Sequence, residues 1–407
     1  MRPIVDNGPG GPAASVYVHL PFCRERCLYC AFPTVADEPA SHEPLIEAIL
    51  AEARGHADSN PELAPLETLY LGGGTPGLIP APLLAGLIGG LRQLWAFRDD
   101  VEITLEANPA NVSAAALAAW AGLGINRLSV GVQSFHDATL TRLGRRHDAA
   151  LAATALDTVG RAWPHTWSAD LLAGWSGQTL GALDDDLRRL LEAAPPHVSV
   201  YALTVEEGTP LAALARAGRR VKAPATLEPA LDQRCAERLE QAGYERYEVS
   251  NFARAGQRSR HNQVYWADRS YLGLGPGAAS SMHPYRWVNR ADLAGYLEAA
   301  SSGRSLRAQA ERIAPEARLI EVLGVGLRTR DGLDRASFDE RFGCGLSAAV
   351  VEAGRELVRA GLLEADAVRI RVPASAIARA DGVVSDLIAR IGGDVQPARA
   401  LADANAH

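Results

Sequence analysis

The chain has 407 residues, 47% of them hydrophobic and 22% charged, with a net charge of −7 and a pI near 5.8. That length and composition suit a large α/β domain with a smaller companion and argue against wholesale disorder. The acidic balance excludes the broad positive field of a sequence-independent nucleic-acid binder, although Arg145, Arg146 and His147 form a local basic group.

Residues 1–14 are rich in Gly and Pro, lack the apolar core of a secretory signal, and read as a flexible N-terminus. Strands are predicted at 15–20, 68–71, 102–106, 127–130, 167–172 and 197–202. Helices at 43–54, 81–94, 113–123, 149–161 and 181–193 separate them. Each strand-to-helix step repeats the unit of a parallel sheet covered by helices. Six such units suit a partial (β/α)6 barrel better than a flat sheet, and in either fold ligands belong at the C-terminal ends of the strands.

The barrel and an extension are expected to occupy 15–300, with Ser301, Ser302 and Gly303 as a linker. A helix at 314–329 follows, then helices at 333–342 and 347–360 and a strand at 368–372. Together they predict a small α-rich, winged-helix-like C-terminal domain over 308–400. No apolar run is long enough to span a bilayer: 81–91 is too short and is broken by glycines. The expectation is a cytoplasmic protein without a transmembrane segment.

Five cysteines are present, and Cys23, Cys27 and Cys30 fall within eight residues while Cys235 and Cys344 are scattered. That is a poor disulfide framework, and a reducing compartment would keep the clustered three as thiolates. Three thiolates at this spacing, in a loop after a strand, can ligate three irons of a [4Fe–4S] cluster and leave the fourth open to a small chelator. Zinc competes for the same residues but usually wants four ligands in two pairs. Three buried free cysteines are the plain structural alternative.

Cys23-x3-Cys27-x2-Cys30, with Tyr29 before the last cysteine, resembles the radical S-adenosylmethionine (SAM) superfamily. The longer string Tyr17-x-His19-x-Pro21-Phe22-Cys23 is similar to its HemW-like branch, which lies beside oxygen-independent coproporphyrinogen III oxidase. Further likenesses follow each strand. They are Gly72-Gly73-Gly74-Thr75-Pro76, Glu106-Ala107-Asn108-Pro109, Gly131-Val132-Gln133, Leu143-Gly144-Arg145 and Asp170. The resemblance implies Tyr17 and Tyr29 beside the adenine or the cluster. It also implies Gly73, Gly74, Thr75 and Glu106 at the methionyl group of SAM, and Gln133, Arg145 and Asp170 at its carboxylate and ribose. The residue types agree: an arginine for a carboxylate, a carboxylate for ribose hydroxyls, backbone for an amine. The implied chemistry is one-electron cleavage of the sulfonium, with the protein placing and shielding the cofactor.

The oxidase pattern carries a fourth cysteine two residues beyond the third, whereas this chain has Phe32 there, as in HemW-like chains. His261-Asn262-x-x-Tyr265-Trp266 also resembles the HemW-like pattern. His261 beside aromatic residues is either a heme contact, with Tyr265 and Trp266 stacking, or a packed histidine in a turn. The likeness runs from about 16 to 363. It departs at Gly174-Trp175-Ser176-Gly177-Gln178-Thr179, where relatives carry Gly-Leu-Pro-Gly-Gln-Thr, and at Gly77. The resemblance therefore implies a heme chaperone that binds heme and passes it to a client hemoprotein, such as a membrane respiratory enzyme. The alternative is a radical enzyme, either of the oxidase type or a HemW-like methyltransferase.

Overall fold

A computed structural model of the chain describes residues 5–9, 13–59 and 63–391. Six parallel strands alternate with helices: β1 (Ser15–Leu20), β2 (Leu66–Gly73), β3 (Phe97–Ala107), β4 (Arg127–Gln133), β5 (Thr166–Ala173) and β6 (His197–Ala202). The helices are α1 (His42–Ser59), α2 (Ala81–Leu94), α3 (Ala114–Gly122), α4 (Asp137–Leu143), α5 (Ala149–Ala162) and α6 (Leu180–Ala193). Every predicted strand and helix up to residue 202 is present, β1, β6 and α2 with the expected ends. Capping residues set several helix starts: Ser113, Asp148 and Thr179 each accept a hydrogen bond from the backbone N–H three residues on.

The strands are buried on both faces, as parallel strands under helices must be, yet the two faces differ. In β1, Val16, Val18 and Leu20 alternate with Ser15, Tyr17 and His19, and all six are buried. The apolar set joins Leu69, Leu71, Ile103, Leu105, Leu128 and Val130 in the main core against the helices. The other face is polar: Thr68, Thr104, Ser168 and Ser199 are buried there.

Two edges extend the six strands. On one side β9 (Leu272–Leu274) pairs parallel with β1. On the other, β8 (Asn251–Ala253) runs antiparallel to β6 and carries β7 (Glu245–Arg246). The order is β9-β1-β2-β3-β4-β5-β6-β8-β7, open at both ends. Residues at the C-terminal ends of β2 through β6 line a single cavity with the loop after β1. A flat sheet could not bring them together, so the sheet is curled into the expected partial barrel.

Between the barrel and the C-terminal region lie α7 (Pro210–Arg216), α8 (Glu228–Gln241), α9 (Arg260–Trp266) and α10 (Leu293–Ser302). A three-stranded sheet, β10 (Ala279–Met282), β11 (Tyr285–Asn289) and β12 (Arg307–Arg312), packs beside them. The linker expected at Ser301–Gly303 is a helix end instead. Ser301 and Ser302 donate back to Glu298 O at 3.0 and 2.7 Å, and Gly303 closes α10 with φ +67°. Small polar residues and a glycine look alike in a linker and in a capped last turn. The boundary placed between 300 and 308 likewise fails, because β12 pairs with β11 across it.

A second core begins at α11 (Pro315–Gly326) and is built from Leu319, Leu323, Phe338, Phe342, Val350, Ile370 and Leu387. The helix expected at 333–342 is a short strand, β13 (Leu333–Asp334), followed by α12 (Arg335–Phe342), because Asp334 caps Ser337 N at 2.9 Å. The helix expected at 347–360 is two, α13 (Leu346–Ala353) and α14 (Arg355–Arg359), with Gly354 between them. A small sheet, β13 with β14 (Glu364–Ala365) and β15 (Arg369–Arg371), and α15 (Ala380–Ile391) complete it. The N-terminal segment, expected to be flexible, reaches this region: half-buried Asp6 pairs with Arg341 at 2.8 Å. The expected domain end near 400 lies outside the described residues. Among the described residues no helix is long and apolar enough to cross a membrane.

Candidate functional site

The loop after β1 carries the three cysteines and is closed at its base by a parallel pair, Phe22–Cys23 with Val35–Ala36. It is fastened at its middle as well. Leu28 N donates to Leu143 O at the end of α4 (3.0 Å), and Leu28 O accepts from Leu211 N at the start of α7 (2.8 Å). Cys23, Cys27 and Cys30 are unbridged and half-buried, and all three line the cavity. Burial pushes the Cys23 thiol up to about 12 and raises Cys30 too, so these two need a cation to become thiolates. Arg145 stands beside them, donating from Nη1 to Cys27 Sγ at 3.5 Å. Among the described residues no three His, Cys, Asp or Glu side chains converge closely enough for a single ion. Three thiols on one loop, all facing one cavity, are a donor set that could hold three irons of a [4Fe–4S] cluster and leave the fourth open.

The turn after β2 docks against this loop. Gly74 N donates to Leu20 O and Thr75 N to Phe22 O, at 2.9 and 2.8 Å, and a Cβ on Gly74 would lie 2.5 Å from Phe22 O. Gly73 adopts φ +110°, which frees its N–H to donate to Glu106 Oε2 at 3.1 Å. Tyr70 donates its hydroxyl to the other oxygen, Oε1, at 2.7 Å. Burial raises Glu106 to about 7 despite these donors, and the nearby Asp170 adds to the rise.

Asp170 lies in the second half of β5 and is held in the same way. Ser129 donates to Oδ2 at 2.9 Å and Ser168 to Oδ1 at 3.4 Å, and the three residues are near neighbours by strand register. Burial lifts Asp170 to about 6 against those hydrogen bonds. At the end of β4 the ladder shifts register between Gly131 and Gln133, and Gln133 takes φ +71°. A left-handed conformation outside glycine stores strain and often marks a functional position. The bulge leaves Gly131 O to accept from the Arg145 guanidinium, while Arg145 Nε has no partner and is buried.

Of the residues expected at the cluster and at SAM, all but Tyr17 line one cavity of about 1100 Å³. It extends from the cysteine loop to Arg328, Ile377 and Asp381 of the C-terminal region. Tyr17 is 4% exposed, its hydroxyl bonded to His19 Nδ1 at 3.1 Å and its ring stacked on Tyr70. It packs behind the site rather than on its wall.

His261 and Tyr265 do not reach the cavity. His261 is 1% exposed, with Nδ1 engaged to Thr68 Oγ1 at 2.7 Å and Nε2 to Tyr265 OH at 2.8 Å. Burial lowers its pKa to about 3, so the ring is neutral. Both nitrogens are occupied, which favours the packed histidine of the two alternatives over the heme contact. The motif instead forms α9, whose first turn donates two backbone N–H groups to Glu102. Trp266, at the end of α9, does line the cavity.

Residues that sequence reasoning passed over are Tyr70, Ser129 and Ser168, which hold the two carboxylates. Their signal is alternation: each lies two residues from another polar or aromatic position on the inward face of its strand.

Comparison with known proteins follows the same outline. The family model described as Radical SAM superfamily matches residues 17–190, and that described as HemN C-terminal domain matches 313–378. The chain is 34% identical over 332 residues to a protein named heme chaperone HemW from Synechocystis sp., covering 78% of this chain and 79% of that one. It is 31% identical to heme chaperone HemW of Lactococcus lactis, covering 88% and 93%. It is 32% identical to the mitochondrial radical S-adenosyl methionine domain-containing protein 1 of Bos taurus, covering 96% and 92%. Among solved structures, coproporphyrinogen III oxidase (HemN) from Escherichia coli, described as a radical SAM enzyme, superposes with a TM-score of 0.79. It shares 21% identity and covers 93% of this chain and 90% of that one.

Proposed function

The chain belongs to the HemW-like branch of the radical SAM superfamily, and from that premise we propose that it is a heme chaperone carrying a [4Fe–4S] cluster and SAM. The observation that carries this reading is the match, over most of both lengths, to relatives that bear the heme-chaperone name. Phe32 at the position of the oxidase's fourth cysteine supports it. So does the cavity, which exceeds the ~300–1,000 Å³ of an ordinary small-molecule site and leaves room beyond a nucleoside-sized ligand.

A cluster with SAM on its open iron supplies one-electron chemistry at a sulfonium. The protein's part is placement. Cys23, Cys27 and Cys30 would hold the metal body. Glu106, oriented by Tyr70 and Gly73, would accept from the methionyl ammonium once ionised. Arg145 would meet the carboxylate, Asp170 the ribose hydroxyls, and Tyr29 would cover the adenine side. Heme would occupy the part of the cavity toward the C-terminal region, where Trp266 and Ile377 offer apolar surface and Arg328, which in the free chain pairs with Asp381 at 2.7 Å, would exchange that carboxylate for a propionate. Release to a client hemoprotein, in a reducing cytoplasm, completes the role.

The test is anaerobic. Reconstituted protein is expected to hold iron and sulfide that Cys27→Ala loses, to cleave SAM slowly or not at all, and to shift the Soret band of added hemin. His261→Ala should leave that shift intact. Consumption of coproporphyrinogen with release of 5′-deoxyadenosine would overturn the chaperone reading in favour of the oxidase, and a methylated product would favour a methyltransferase.

A further inference from the structure

We propose that Arg246 and Arg328 form a two-cation corner of the cavity that takes the two adjacent propionates of a heme, so that the chain reads a porphyrin carboxylated along one edge only. The inference rests on the heme reading above and names what that site recognises.

Register brings the two arginines together although they are far apart in the chain. Glu248 and Thr329 form an isolated antiparallel bridge, and Arg330 N donates to Tyr247 O at 3.0 Å. The same register sets Val249 opposite Arg328. Arg246, at the end of β7, folds back and donates from Nη2 to Val249 O. The two arginines therefore flank one residue, and all three line the cavity. The neighbouring wall comes from α8, with Leu231 and Asp232, and α8 packs against the 3-10 helix Ala374–Arg379 that carries Ile377.

Each arginine already holds an acid, but the pairs are lopsided. Arg246 grips Asp232 through both Nη groups at 2.7 and 2.8 Å, while its Nε is buried without a partner and the Phe252 ring lies 5.3 Å from its guanidinium carbon. Arg328 holds Asp381 through Nε at 2.7 Å and Gly324 O through Nη1 at 3.1 Å. The Asp232 side chain is 34% exposed against 7% for Arg246, and Asp381 is 79% exposed against 29% for Arg328. A carboxylate at the water's edge is rehydrated at little cost when it lets go, whereas an enclosed guanidinium needs an anion. The arginines are thus the fixed members, and the acids are the ones a ligand can replace. A propionate fits the planar fork of a guanidinium as an aspartate does.

The rest of the wall decides how many carboxylates are welcome. Arg145 is committed to the SAM end, and Arg24, Arg26 and Arg146 lie in or beside the cysteine loop. Among the described residues, Arg246 and Arg328 are the other arginines that line the cavity, and no lysine does. Glu206, Glu207 and Glu228 line it as well. Two neighbouring propionates seated at the corner leave the apolar edge of the macrocycle for Leu231, Val249 and Ile377. A macrocycle with four propionates would turn its remaining carboxylates toward those glutamates, where like charges repel.

The experiment titrates anaerobically reconstituted protein with ferric protoporphyrin IX, its dimethyl ester and ferric coproporphyrin III, following the Soret band in one co-solvent. The parent should bind the first at least about tenfold more tightly than either of the others. Arg246→Met should lose about tenfold of the affinity for the diacid and little of that for the ester. Arg246→Lys, which keeps the charge but not the fork, should fall between. Asp232→Asn removes the competing acid and should tighten diacid binding severalfold. An ion pair that only braces the wall predicts the reverse for that variant, with all three ligands weakened together, so Asp232→Asn carries the test if Arg246→Met folds poorly. Diacid affinity unchanged in Arg246→Met, or a parent that does not distinguish diacid from ester, would overturn the proposal while leaving heme binding intact. Tighter binding of the four-propionate ligand would overturn it too. A parent that shifts no Soret band would instead remove the heme reading and this proposal with it.

Discussion

The two faces of the barrel strands are made of alternate residues of the same segments and obey opposite rules. Outward, Leu105 and its neighbours meet helices and are apolar, fully buried and conformationally ordinary. Inward, one residue along, Glu106 is half-buried and faces the cavity, and it carries a carboxyl raised to about 7. The outer face lowers the free energy of the fold. The inner face raises it, holding acids in poor solvent and a strained Gln133, and so keeps groups ready to meet a charged ligand.

The contrast breaks first on the outer face. Leu105→Ala should cost ~2–5 kcal/mol, read as a lower denaturant midpoint with an unchanged slope. A loss below about 1 kcal/mol would mean that the helix layer is not where the stability lies.

Glu106→Gln should go the other way, and only above a certain pH. The folded chain holds the Glu106 proton up to about 7, whereas the ordinary value is 4.5. The burial penalty on the carboxylate is therefore absent below pH 4.5, grows between the two values and is complete above 7. Asp170, raised to about 6, adds to it, and the Tyr70 hydroxyl and Gly73 N–H oppose it. Unliganded Glu106→Gln should be more stable than the parent at pH 8 by on the order of 1–2 kcal/mol and no more stable at pH 5. It should also lose SAM affinity, measured by equilibrium binding to the reconstituted protein. Equal stability at both pH values would show that the acid sits in a better solvated place.

The smallest expected effect sharpens the same comparison. Tyr70→Phe removes one donor to Glu106 and should cost about 1–2 kcal/mol at pH 8, and less at pH 5, where the carboxyl is neutral. In the Glu106→Gln background the cost should shrink at pH 8. A cost independent of both pH and background would assign Tyr70 to packing alone.

The outer face was readable in the sequence because parallel strands and covering helices alternate in a regular rhythm, and apolar runs bounded by turn residues announce it. The cysteine loop was readable because its chemistry depends on close spacing. Groups that act across strands were less visible. Ser129 and Ser168 look like any strand serines until register sets them beside Asp170. His261 was ambiguous for the reason that matters most: a histidine among aromatic residues reads the same whether its nitrogens are open or taken, and only its burial against Thr68 and Tyr265 decides. Beyond residue 300 the rhythm stops, short elements depend on single caps such as Asp334, and boundaries drawn from composition drifted.

Leu28 is gripped through both its N–H and its C=O by helices that belong to the rest of the chain. The loop between the outer cysteines thus gives up its conformational freedom when the chain folds, not when it captures a guest. The chelation proposed for the three sulfurs would then resemble filling a finished mould, with little ordering left to oppose it. Such a mould should reload after oxidative loss of its contents without the surrounding chain having to unfold.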